Sequence, residues 1–213
     1  MQRLAFLCAV LGFGLLAAEA HADGNDDNWD GGYKVVATRR SGFMIGITTG
    51  LALGNAYGYP NDLAKLNDPN YERNTKFGVG AADRLWFGGA LTDWFVFGIG
   101  LDSVRLKHAN ADATGSAFIF HVEGYPLFYR GGPFRDLSLF GDFGAGGMKI
   151  KGGTRAEADG GLMSVVGFGV GYEPVRFWRF TFGPAVEYMH TWSQSMNSNT
   201  ALAEARLTFV GGP

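Results

Sequence analysis

From about residue 42 the sequence alternates between large apolar and small or polar side chains. In the run 42–56, Phe43, Ile45, Ile47, Leu51 and Leu53 share one parity, and Met44, Gly46, Thr48, Gly50 and Ala52 share the other. The run 76–90 sets Phe77, Val79, Leu85 and Phe87 against Gly78, Gly80, Arg84 and Trp86. The run 95–107 sets Phe95, Phe97, Ile99 and Leu101 against Gly98, Gly100 and Asp102. The pattern recurs at 115–127, 137–149, 161–172, 177–191 and 200–210. A two-residue period is that of a strand with one apolar face. No helical spacing is sustained after residue 22, so the pattern predicts an all-β chain of eight strands.

The connections alternate in kind. Those at 91–94, 129–136 and 173–176 are short or tight, with the turn of the hairpin 161–191 expected at Glu173-Pro174-Val175-Arg176. Those at 58–75, 108–115, 151–160 and 193–199 are longer or more polar. Eight strands joined this way put both termini at the short-turn end. That rhythm, with tight turns on one side of a membrane and longer loops on the other, is the design of an antiparallel up-and-down transmembrane β-barrel.

Sorting polar residues by parity assigns a lumen. Arg84, Asp102, His121, Glu123, Asp142, Arg179, Glu187, Glu204 and Arg206 all share a face with the glycines. The interior of an eight-stranded barrel is just wide enough for side chains. The opposite face is apolar through its middle, and aromatic residues gather toward strand ends. Trp94, Tyr125, Tyr129, Tyr172 and Trp178 lie at the short-turn ends, Tyr188 and Trp192 near the long-loop ends. Such rings form the girdles that bracket a bilayer. Asp83 breaks the pattern, falling on the apolar parity in mid-strand; a bulge near Ala81-Ala82 would turn it inward.

The ends and the composition sharpen this picture. Arg3, an apolar run of roughly 15 residues and Ala20-His21-Ala22 make a secretory signal peptide over 1–22, with cleavage after Ala22; the run is short of the ~20 residues a spanning helix needs. Residues 23–40 form a polar acidic leader, with Tyr33–Thr38 a candidate short strand, and 41–213 the barrel. Cys8 is the one cysteine and leaves with the signal, so disulfides and cysteine metal sites are excluded from the exported chain. A net charge of −2 gives no basic excess for nucleic acid.

On strand rhythm, girdles and an aromatic C-terminal strand, residues 42–209 resemble the small outer-membrane β-barrels of Gram-negative bacteria, the OmpA-like and OmpX-like superfamily. The family commonly ends on a terminal Phe that the insertion machinery reads; here Phe209 is followed by Val-Gly-Gly-Pro. The peptidoglycan-binding domain of full-length OmpA-type proteins does not follow, which implies a barrel-only member. The resemblance implies a location in the outer membrane. The partners would be its lipid and lipopolysaccharide and the barrel-insertion machinery, and the state a monomer. It also implies an internal salt-bridge network that plugs the pore, and a structural or surface-interaction role rather than catalysis.

Two alternatives stay open: a narrow small-solute channel, and an outer-leaflet lipid-modifying enzyme of the kind some eight-stranded barrels are. For the enzyme, His190 lies near Ser193 and Ser195, but Glu187 has the opposite parity and the family's His-x-Ser spacing is absent. His121 and Glu123, two apart on one strand, make at most half a metal site. The runs Gly-Phe-Gly-Val-Gly and Gly-Ala-Gly-Gly precede no helix and are not phosphate loops. No cofactor is expected.

Overall fold

The computed structural model describes residues 29–30, 33–34, 39–130, 132–152 and 157–212. Residues 1–22, with the expected cleavage at Ala22, lie outside the described residues. So do residues 35–38 of the candidate leader strand; within it, Tyr33–Lys34 pairs antiparallel with Trp29–Asp30.

Eight long strands follow in order: β1 (Gly42–Gly58), β2 (Gly78–Thr92), β3 (Phe95–His108), β4 (Ala111–Gly124), β5 (Leu137–Gly152), β6 (Met163–Tyr172), β7 (Phe180–Trp192) and β8 (Met196–Val210). Each pairs antiparallel with its neighbours in sequence, and β8 pairs with β1, so the sheet closes. A register row begun at Ile45 passes through Phe87, Ile99, Phe120, Phe143, Val166, His190 and Asn199 and returns to β1 at Asn55, ten residues further on. That stagger over eight strands corresponds to a tilt of about 40° and an interior that side chains fill.

The parity of the sequence is the wall of the barrel. Phe43, Ile47, Leu85, Phe97, Leu101, Phe143, Phe168 and Val186 are exposed on the outside, Leu101 at 61% and Phe168 at 63%. A soluble sandwich would bury those rows between two sheets; here they form a continuous apolar outer surface, the surface of a barrel that spans a membrane.

The interior is layered. At the short-turn end Met44, Trp86, Val96, Tyr125, Phe128 and Val210 form one apolar cluster. At the other end Ala52, Val104, Met148, Val165, Met189 and Leu202 belong to a second. The inward charges lie on the turns of strand between these layers.

Several connections depart from the sequence reading. The polar stretch 108–115 is not a loop: β3 runs to His108, β4 starts at Ala111, and Ala109, at φ 46°, turns the chain. Alternation simply continues there with polar residues outward, Lys107 opposite Asp112 and Arg105 opposite Thr114. The β7–β8 connection likewise shrinks to 193–195. The supposedly short connection after β4 is instead the larger segment 125–136, carrying 3-10 turns at Phe128–Arg130 and Pro133–Asp136. The hairpin turn expected at 173–176 lies at Trp178-Arg179, because Val175–Phe177 pairs with Phe180–Phe182 as a short extra strand. Asp83 is not turned inward by a bulge. Its register runs unbroken between Thr49 and Ser103, and the irregularity in β2 falls between Ala90 and Thr92.

Candidate functional site

Inward parity on β2, β3, β5 and β7 brings Arg84, Asp102, Asp142 and Glu187 to one level of the lumen, all at most 5% exposed. The Arg84 guanidinium spans it. Nη1 donates to Asp142 Oδ2 at 2.8 Å, and Nη2 donates to Asp102 Oδ2 at 2.8 Å and Glu187 Oε2 at 2.7 Å. One cation thus ties three carboxylates from three other strands. The planar fork of arginine suits this, because its donors are fixed in several directions at once.

Below it, His121 on β4 continues the network. Its Nδ1 lies 2.7 Å from Asp142 Oδ1 and its Nε2 lies 3.4 Å from Glu123 Oε2. The Trp86 indole stacks on the imidazole with centroids 4.7 Å apart. Arg206 on β8 donates to both oxygens of Glu123, at 2.7 and 2.9 Å, and lies over the Phe140 ring. His121 and Glu123 are therefore committed to Asp142 and Arg206. Among the described residues no group of acid, histidine or cysteine side chains is arranged to hold a metal ion.

Two expected members behave differently. Arg179 lies in the turn at the barrel end, donating to the Gly211 carbonyl at 3.2 Å beside the Trp178 ring, and does not reach the cluster. Arg179 sits in the turn itself, where the parity of the run 177–191 no longer assigns a face. Glu204 is buried at the level of Arg84, but its Oε2 makes no hydrogen bond, and neither does Glu187 Oε1.

Sequence reasoning missed Glu173. It is 2% exposed, accepts from the hydroxyls of Thr181 and Thr208, and lies 3.5 Å from Arg206 Nε. Glu173 carries on the inward parity of Gly167, Gly169 and Gly171, a signal masked by the Pro174 that marks a turn.

A second cluster closes the short-turn end. The backbone N–H groups of Arg39 and Arg40 both donate to Asp93 Oδ1, at 2.7 and 2.8 Å. The Arg40 side chain, 3% exposed, donates to Asp136 Oδ1 at 2.7 Å and lies 3.4 Å from the centroid of Tyr125. Tyr125, expected in the membrane girdle, is therefore an interior residue, and burial pushes its phenol well above the usual range. The other expected girdle residues are on the outside. Trp94, Tyr129, Trp178, Tyr188 and Trp192 are exposed, and Tyr172 is half-buried with its hydroxyl on the Pro133 carbonyl.

The groups weighed for lipid chemistry do not converge. His190 faces outward, with Nδ1 2.9 Å from Asn199 Oδ1 and its ring stacked on Trp192. Glu187 is inside, on Arg84. Ser193 Oγ and Ser195 Oγ lie 3.3 Å from one another, and among the described residues no hydrogen bond joins either to His190.

No protein-family model matches the sequence, and no curated protein matches it. Solved structures do resemble the fold. The attachment invasion locus protein Ail of Yersinia pestis superposes with a TM-score of 0.50 at 12% identity, covering 78% of this chain and 98% of that one. Neisserial surface protein A gives 0.48 at 9%, covering 79% and 97%. The outer membrane protein OprG from Pseudomonas aeruginosa gives 0.41 at 14%, covering 81% and 98%. At such identities the likeness concerns the fold. A closed eight-stranded antiparallel sheet, apolar outside and charged within, superposing on Ail along nearly all of that protein's length, is the fold of the small outer-membrane β-barrels.

Proposed function

We propose that this chain works as an outer-membrane barrel closed by its own side chains, with a structural role or one carried by the surface it presents outside the cell. The observation that carries this reading is the fourfold knot at Arg84. A guanidinium bonded to Asp102, Asp142 and Glu187 crosses the lumen from β2 to β3, β5 and β7. Solute would have to break buried charge-assisted bonds to pass, and removing one partner of such a cluster leaves an uncompensated buried charge. Apolar side chains fill the lumen on both sides of the knot. The barrel wall would contact outer-membrane lipid and lipopolysaccharide, and its insertion would use the cellular machinery for such barrels.

A narrow solute path is the second reading. It is favoured by the partnerless oxygens of Glu187 and Glu204, which leave polar atoms in the lumen for a passing solute to meet. Planar-bilayer recording on the purified, refolded barrel separates the two. A sealed barrel gives no steady conductance, and a large, stable, open channel contradicts it.

A further inference from the structure

The lipid-facing wall carries one feature that the lumen does not explain. Asp83 points outward from the middle of β2, with exposed Val79, Leu85 and Phe87 on the same face of the strand. Its register neighbours are Thr49 on β1 and Ser103 on β3, and Ser103 in turn faces Ser116 on β4. A carboxylate and three hydroxyls thus form a row across four strands. The row lies in a shallow, open groove on the barrel wall. Ile47, Leu85, Leu101 and Phe118 edge the groove on the side toward the short turns.

An acid facing acyl chains is costly, and such residues mark functional positions. The Asp83 carboxylate accepts one hydrogen bond within the chain, from Thr49 Oγ1 at 2.7 Å. No ion pair joins it among the described residues. The nearest outward cation on the next strand, Arg105, stands opposite Ala81, two residues nearer the outer end, and makes no ion pair with it. A charge left this way on a membrane surface calls for a cationic donor arriving from the membrane itself. The apolar edge of the groove supplies a bed for that donor's chain, running along the wall from the polar row toward the short turns.

We propose that Asp83, Thr49, Ser103 and Ser116 form a binding site on the outer wall for an amphiphile with a primary-amine head. The ammonium pairs with Asp83, and the hydroxyls of Ser103 and Ser116 take the remaining polar atoms of the head. The site rests on the membrane-spanning reading of the barrel.

The test is retention of dodecylamine, dodecanol and dodecyl sulfate by the refolded barrel in neutral detergent, read by native mass spectrometry on wild type, Asp83→Asn and Leu101→Ala. The wild type is expected to retain dodecylamine at least tenfold over dodecanol and to reject the sulfate. Asp83→Asn is expected to abolish the preference while keeping heat-modifiable mobility on a gel. Leu101→Ala is expected to weaken amine retention without changing the preference. Equal retention of amine by wild type and Asp83→Asn, or a preference for the sulfate, overturns the site while heat-modifiable mobility leaves the membrane reading intact. Loss of heat-modifiable mobility in the wild type itself overturns both.

Discussion

Arg84 shows what one residue does in this molecule. Its charge is stable inside the barrel only because three carboxylates come to it from other strands. Replacing it by methionine leaves those acids facing one another. We expect Arg84→Met to lower unfolding free energy by about 3–5 kcal/mol, measured by urea denaturation in lipid. Glu204 should behave in the opposite way. Because its Oε2 has no partner, Glu204→Gln is expected to leave stability unchanged or raise it in the same assay. At this scale parity was a good guide. It put Arg84, Asp142, Glu187 and Arg206 on the inner face, because a two-residue period survives wherever the strand is regular. It fails where regularity ends: Arg179 lies in the turn rather than in a strand, Glu173 lies where the sequence predicts a turn, and the partners of each charge depend on inter-strand stagger, which no single strand encodes.

At the scale of elements, strands were legible and their ends were not. Polar residues at 108–115 look like loop, yet they alternate outward above the apolar band, where water replaces lipid and a strand no longer needs apolar side chains. The outer extension of β5 is held in the same way. Lys149 lies 3.0 Å from Asp159 Oδ2 in the short strand Ala158–Asp159. The Gly161 N–H, and then Lys149, hold the Asp159 carboxyl below its usual range. A depressed carboxyl stabilises the folded form above its unfolded pKa of about 3.9 and loses that contribution as pH falls through the lower, folded value. Hydrogen exchange should therefore show residues 158–161 opening as pH drops below about 4, with the barrel strands unaffected; equal protection at pH 3 and pH 7 would contradict the pairing. At the other end, Arg40 fastens the entry to β1 through Asp93 and Asp136. That clasp was invisible in sequence because its partners are separated by 53 and 96 residues.

For the whole molecule, closure, strand number and the choice of face were readable, since eight alternating runs with aromatic ends have few other solutions. The ten-residue stagger was not, and it is what brings β2, β3, β5 and β7 charges to a common level. The central claim is that the odd-numbered residues of β1 face acyl chains and the even-numbered ones face a sealed interior. Nitroxide labels placed singly at positions 43 to 53, in the barrel reconstituted in lipid, test it most directly. Collision rates with oxygen, which concentrates in the bilayer, should peak at 43, 45, 47, 51 and 53 and fall at the even positions, while a water-soluble nickel complex should reach neither set. High nickel accessibility at the even positions, with the odd positions shielded from both reagents, would contradict it.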